Sequence, residues 1–218
     1  MLYLCTFLGI RINKEKIHFM KKGFVLLAVA AMIIGCKPAK TITDMNQQNP
    51  VIETILTRVS VRQFTGEKIS EEQIETLVRC ALAAPSAVNK QPWKIYVVEN
   101  EDLLAQLGEA MPNCRCQNHP ACAFVLCGDM DKVFEPVPDF WIHDVSAATE
   151  NLLLAAHALG LGAVWCGVFP GQEKVEATRR ILGIEERFVP LSIVPVGMPA
   201  EQPEVKDKYK EENICYIR

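Results

Sequence analysis

The chain has 218 residues, half of them hydrophobic and 22% charged, with a formal net charge of −3. That balance excludes a disordered or fibrous chain, and its mild acidity predicts no general attraction to nucleic acid. A globular part of this size buries roughly 70% of its unfolded surface and needs no disulfide or metal to hold it.

Residues 1–36 read as a signal segment. Lys21 and Lys22 precede an apolar run from Phe24 to Ile34, then Gly35 and Cys36. A basic region, a short apolar region and a small residue before the cut mark an export signal. The run is too short to cross a hydrocarbon core of ~30 Å as a helix. Ile33-Ile34-Gly35-Cys36 resembles a bacterial lipobox. It predicts an exported protein held to the membrane only by lipid on Cys36, on the periplasmic or outer face. The alternative is an uncleaved apolar N-terminus. Residues 1–19 fit the signal poorly, whereas Met20 opens a better one. Residues 37–49 are polar and read as a tether.

A single domain is expected over 50–218. Pro50 opens a short helix through Thr57, and Arg58 to Phe64 reads as extended. Ser70 and Gln73 form a capping box with Ile69 and Ile74 placed as a staple. The helix they start ends before Pro85. Lys94 to Val98 reads as a strand, Glu101 to Ala110 as a helix and Ala123 to Cys127 as a strand. Trp141 to Leu159 reads as a long helix, apolar nearly all round, that belongs in a core or a subunit interface. A strand over Gly162 to Val168, a helix over Gln172 to Leu182 and a strand over Val189 to Val196 follow. Asn213 to Ile217 is a last extended piece. The alternation predicts a layered sheet-and-helix fold, α+β in class.

Two clusters carry candidate chemistry. In an extended segment Arg58, Ser60 and Arg62 share one side, with Val59 and Val61 on the other. Two guanidinium forks and a hydroxyl suit a phosphate, and equally a solvated basic edge. The second cluster is Pro85-Ser86-Ala87-Val88-Asn89-Lys90-Gln91-Pro92-Trp93. Pro92 biases Gln91 away from helical angles, so its amide projects. Amides present both a donor and an acceptor and suit the pyrimidine edge of a flavin; the same residues also suit a plain helix-ending turn.

Arg58-x-Ser60-x-Arg62-x-Phe64, then Ala84-Pro85-Ser86-Ala87-x-Asn89-x-Gln91-Pro92-Trp93, then Gly160-Leu161-Gly162-Ala163 resemble the nitroreductase family in order and spacing. The resemblance implies a sheet flanked by helices in an intertwined homodimer, with FMN at each of two interface sites. It implies that Arg58, Ser60 and Arg62 hold the ribityl phosphate. Pro85, Ser86 and Asn89 would approach from the partner subunit, and Gly167 and Val168 would set backbone groups near the isoalloxazine. Lys206 and Lys208 match a late basic pair that closes on the phosphate, although alone they read as a mixed-charge tail. The Ile214 to Ile217 arm would cross to the partner. The implied reaction is ping-pong: NAD(P)H gives hydride to the flavin and leaves, and a nitro, quinone or similar small acceptor takes the same face. The cofactor carries the chemistry, so no catalytic side chain is assigned. Val59 and Lys208 stand where the family often has other basic residues.

Rival readings are weaker. Gly160-x-Gly162 runs from helix to strand with Trp165 at the third glycine position, so it is not a dinucleotide fingerprint. No G-x-S-x-G elbow is present. Cys114, Cys116, His119 and Cys122 offer ligand types for zinc, cysteines for a disulfide, or free thiols; the spacing is not a common zinc pattern. A metal- or redox-sensing lipoprotein and a non-enzymatic flavin or electron-transfer protein are the alternatives to an enzyme. His157 reads as a core or interface histidine, and His143 beside Asp144 as a pocket-lining pair.

Overall fold

The computed structural model describes residues 49–218; the signal segment 1–36, Cys36 and the tether as far as residue 48 lie outside the described residues. Helix α1 (Pro50–Thr57) starts as its sequence dictates. Asn49 Oδ1 accepts the N–H groups of Val51 and Ile52 at 2.9 and 3.4 Å, with Pro50 in the first turn. In α2 (Glu71–Leu82) the capping box closes both ways: Gln73 N–H donates to Ser70 Oγ at 3.1 Å and Ser70 N–H to Gln73 Oε1 at 2.9 Å. This helix buries Leu77 and Ala81.

Strand β1 (Trp93–Val98), helix α3 (Glu101–Ala110) and strand β2 (Cys122–Asp129) come next. The long helix α4 (Phe140–Ala158) leads to β3 (Gly162–Ala163) and β4 (Cys166–Gly167), then α5 (Gln172–Leu182) and β5 (Phe188–Gly197). The sheet order is β1-β2-β5-β3 with β4 also on β5, and every pairing is antiparallel. Helices cover both faces, the layered α+β architecture expected.

Strand β2 is buried at every position, and its alternation feeds two cores. Phe124 and Leu126 pack with Leu77, Trp141 and Leu152 on the α2/α4 face. Ala123, Val125 and Cys127 pack with Leu104, Leu107 and Val175 on the α3/α5 face.

The single strand expected over Gly162 to Val168 is interrupted. Gly162 to Ala163 and Cys166 to Gly167 pair with β5 in one continuous register, Ala163 with Val196 and Cys166 with Ile193. The missing rungs lie opposite Pro195 and Val194, and Pro195 has no N–H to donate. A second proline has a larger effect. Cys127 faces Pro190 and Leu126 faces Ser192, so Leu191 is left over as a bulge. The freed Leu191 carbonyl accepts the N–H groups of Val168 and Phe169 at 2.9 and 3.2 Å. That bulge fixes where the chain after β4 runs.

The last extended piece has no sheet partner among the described residues. After a short 3-10 turn (Glu211–Asn213), Ile214 is extended at φ −122° and ψ 126°. Ile217 is 96% exposed. Among the described residues no helix is long and apolar enough to cross a membrane.

Candidate functional site

The Arg58–Phe64 segment is extended and clamped along its length. Val61 is buried and its N–H donates to Ala163 O at 3.0 Å, while Phe64 forms a bridge with Pro199. Gly162 permits this approach, since a Cβ there would lie 2.6 Å from Val61 Cγ1. The Arg62 peptide is held from both sides. Its N–H donates to Glu201 Oε1 at 2.6 Å, and its carbonyl accepts from Asn118 Nδ2 at 2.6 Å.

This clamping leaves Arg62 exposed, Ser60 half-buried and the Arg58 side chain 17% exposed. Arg58 Nε lies 3.4 Å from Glu150 Oε1 on α4, and Arg62 Nη1 donates to Ser60 O at 3.2 Å. The Glu150 carboxylate is about half exposed, so the pair is of the kind worth ~0–1 kcal/mol, and an arriving phosphate can replace it.

The Pro85–Pro92 loop is strained. Val88, Asn89 and Gln91 all have left-handed backbone, with φ of 43°, 58° and 52°. A β-branched residue there costs on the order of 1–3 kcal/mol, so the surroundings must hold it. Asp144, 6% exposed on α4, accepts the Ala87 N–H at 2.9 Å through Oδ1. Ser86 Oγ accepts the Gln91 N–H at 2.9 Å, and Gln91 Nε2 donates to Asn89 Oδ1 at 3.2 Å. The Gln91 amide therefore lies exposed but turned onto Asn89 instead of projecting freely.

The first turn of α4 also meets the end of β4. The Trp141 ring packs edge-on against Phe169 with centroids 5.1 Å apart. Just before Phe169, Val168 is buried with its N–H taken by Leu191, and Gly167 is exposed. A Cβ at Gly167 would meet nothing within 4 Å, so neither packing nor a left-handed backbone explains the glycine. One helical turn thus gathers the Ser86–Asn89 loop and the Gly167 peptide. Glu150, which touches Arg58, sits ~9 Å further along the same helix at the usual rise.

Other expected residues are not gathered. Segment 198–201 lies beside residues 62–64 through Ala200 N–H to Gln63 O at 2.9 Å, but Lys206 and Lys208 beyond it are exposed. The four residues of the Cys114 cluster diverge. Cys114 and Cys116 are buried in the α3/α5 core, Cys122 in the α2/α4 core, and His119 is exposed. All seven cysteines of the described residues are free thiols, and only Cys215, on the C-terminal arm, is exposed. Burial pushes the Cys122, Cys127 and Cys166 thiols up to about 12. Cys116 is pushed up by its hydrogen bond with Cys114 and by burial. Among the described residues no group of three or more His, Cys, Asp or Glu side chains can hold a metal ion.

His157 is half-buried and pairs with Thr57 Oγ1 at 2.9 Å. The Thr57 hydroxyl gives its own proton to Glu53 O at 2.7 Å, so His157 Nε2 is the donor.

The family model of the nitroreductase family matches residues 55–115 and 113–198. The chain belongs to the nitroreductase family. A protein of Methanothermobacter thermautotrophicus, named provisionally as an NADH dehydrogenase/NAD(P)H nitroreductase, is 40% identical over 75% of this chain and 85% of its own length. A crystal structure from Parabacteroides distasonis under the same provisional name is 37% identical, with a TM-score of 0.73 over 78% of this chain and 98% of the other. A provisionally named nitroreductase from Desulfovibrio desulfuricans, solved in complex with FMN, is 26% identical. Its TM-score is 0.68 over 79% of this chain and 99% of that one.

As a nitroreductase-family chain, this one offers a donor set that fits FMN. Two guanidinium groups and a hydroxyl suit the phosphate, the Ser86–Asn89 loop supplies amide and hydroxyl groups, and Gly167 leaves open space beside its peptide for a flat ring. Sequence reasoning missed Glu150, Glu201 and Leu191, whose roles arise from contacts across the fold. Asp144 was singled out, but its target, the Ala87 N–H, carries no sequence signal.

Proposed function

We propose that this flavin oxidoreductase passes hydride from NAD(P)H through FMN to a nitro, quinone or similar small acceptor, the two substrates using one face in turn. The observation that carries the reading is the extended Arg58–Arg62 segment, clamped by Ala163, Glu201 and Asn118 so that two guanidinium groups and a hydroxyl alternate along it. The FMN complex of the D. desulfuricans relative and the NAD(P)H in the name of the M. thermautotrophicus relative support cofactor and donor. When bound, FMN supplies the hydride transfer itself. For a quinone the balance is NAD(P)H, one proton and quinone giving NAD(P)+ and hydroquinone.

The protein's part is to bind and orient. Arg58 exchanges Glu150 for phosphate, and Ser60 and Arg62 complete the cradle on a backbone that Glu201 and Asn118 keep from shifting. Ser86 and Asn89 hold the loop closed through Gln91, and the Gly167 peptide offers a flat approach. We further propose that the site is completed in a homodimer, with Pro85, Ser86 and Asn89 serving the partner's flavin. An apolar groove of about 340 Å3 between α1, α2 and α4, lined by Val51, Ile55, Cys80, Leu154 and Ala155, is the face a second copy would cover. The arm from Ile214 to Ile217, with Lys206 and Lys208 before it, would reach across. Lipid attachment at Cys36 would hold this dimer to a membrane after export.

The absorption spectrum of the purified protein tests the central reading. Expected is a yellow protein that NADH or NADPH bleaches and a nitroaromatic or quinone restores. Colourless protein that takes up no added FMN overturns it, and bleaching by dithionite alone makes the chain an electron carrier.

A further inference from the structure

Three thiols meet around one peptide of the loop between α3 and β2. Cys166 Sγ donates to the Cys114 carbonyl at 3.2 Å, and Cys116 Sγ lies 3.9 Å from the same oxygen. The Cys114 and Cys116 thiols also share a hydrogen bond, in which Cys116 donates and holds the Cys114 thiol below its usual range. Arg115 between them has left-handed backbone, φ 62° and ψ 12°. That bend shortens the span between the flanking Cα atoms toward the roughly 4.4–6.8 Å that a disulfide bridges. Both cysteines are buried, but Asn113 and Gln117 on either side are exposed, so the pair lies one side chain beneath the surface.

Cys114 is the fixed member of the pair. Its N–H donates to Met111 O at 2.8 Å, and its carbonyl holds Cys166, the neighbour of Gly167. Cys116 leads instead to Asn118, whose Nδ2 donates to Arg62 O at 2.6 Å and whose carbonyl accepts the Phe64 N–H at 3.3 Å. This loop is therefore one of two clamps on the Arg62 peptide, the other being Glu201. Closing two hydrogen-bonded sulfurs to the ~2.05 Å of a disulfide brings them together by on the order of 1–2 Å. A short hydrogen bond two residues away does not keep its geometry through a shift of that size.

We propose that Cys114 and Cys116 are a dithiol that hydrogen peroxide oxidises to a disulfide, and that this closure loosens the Arg62 clamp and weakens FMN binding. The effect on FMN rests on the flavin reading above; the thiol chemistry does not. The Cys114 thiolate attacks one peroxide oxygen, so an S–O bond forms, the O–O bond breaks and the hydroxide released takes up a proton as water. Cys116 Sγ then attacks Cys114 Sγ: the S–S bond forms, the S–O bond breaks, and the Cys116 proton leaves with that oxygen as a second water. Two thiols and one peroxide thus give one disulfide and two waters, the thiols losing two electrons and two protons. Peroxide is close to water in size, which suits a pair this near the surface.

The test treats the full protein with hydrogen peroxide, blocks the remaining thiols by alkylation and maps the cysteine peptides by mass. FMN affinity is read in parallel by fluorescence titration, before treatment, after it and after dithiothreitol. Expected are a peptide holding both Cys114 and Cys116 that has lost two hydrogens and resists alkylation, and FMN affinity lowered about 5-fold, the size of one lost hydrogen bond. Dithiothreitol should restore both. A Cys116→Ser variant should bind FMN as the reduced protein does and lose no affinity under peroxide. The map and the reversal are read on the unaltered chain, so they decide the matter even where the serine variant fails to fold. Peroxide that leaves Cys114 and Cys116 alkylatable, or that joins only Cys215, overturns the proposal. So does a Cys114–Cys116 disulfide with unchanged FMN affinity, or an affinity loss that Cys116→Ser shares. Failure of the untreated protein to bind FMN is the separate result that removes the flavin reading, and the peptide map is independent of it.

Discussion

Gly167 is the residue whose chemistry is most informative by what it lacks. It needs no left-handed backbone and its missing Cβ would touch nothing, so folding alone does not select glycine there. Gly167→Val should therefore fold with an unchanged urea midpoint, because a branched residue suits the short strand. It should weaken FMN binding at least about 10-fold by filling the approach, a loss of ~1.4 kcal/mol or more. A fluorescence titration against FMN, run beside the denaturation curve, separates the two effects. Valine tolerated at full FMN affinity would remove Gly167 from the site. Across the chain, Val88 makes the opposite point: a β-branched side chain, 69% exposed, sits at φ 43° because Asp144 and Ser86 fix the peptides around it. No residue-type rule signals such a position.

Among the elements, α1 and α4 are joined by a contact that responds to pH. His157 on α4 donates to Thr57 on α1, and its pKa is lowered first by burial and then by the Arg58 guanidinium. Folding thus prefers the neutral ring, and the unfolded chain binds the extra proton. The stability this group contributes is present above its ordinary value of 6.5 and is lost as pH falls from there through the lowered folded value. Urea midpoints at pH 7.5 and 5.5 should fall further for the native chain than for His157→Gln, which keeps a donor without the titration. Equal falls would show that His157 has no part in the acid response.

Helices of this chain were legible because their signals are local. Pro50, the Ser70–Gln73 box and Gly183 after Leu182 each act within one turn, and α1 and α5 were read to the residue. The sheet was legible in position but not in detail. Pro190 and Pro195 act on the strands opposite them, so the Leu191 bulge and the broken β3–β4 ladder appear only once register is known. The same divide runs through the site. Arg58, Ser60 and Arg62 alternate visibly in an extended segment, whereas Glu150 reaches Arg58 from a helix some ninety residues on.

At the scale of the molecule, the unfinished surfaces lie together in kind: a groove lined by Val51, Ile55 and Leu154, and a C-terminal arm that joins no strand among the described residues. A Leu154→Glu substitution places a charge in that groove without touching either core cluster. It should convert a dimer to a monomer in sedimentation, and the monomer should lose FMN, because the Pro85–Asn89 loop would then face no partner cradle. A monomeric native protein that still binds FMN would sink the two-chain site.

The cysteine distribution has a practical consequence for that question. Six of the seven thiols in the described residues are wholly or partly shielded, and the seventh, Cys215, stands exposed on the arm. Among the described residues Cys215 is thus the one fully exposed thiol, and it stands on the segment proposed to reach the partner. A nitroxide attached there would report, by the dipolar distance between two labels, whether the arms of two copies cross or hang apart.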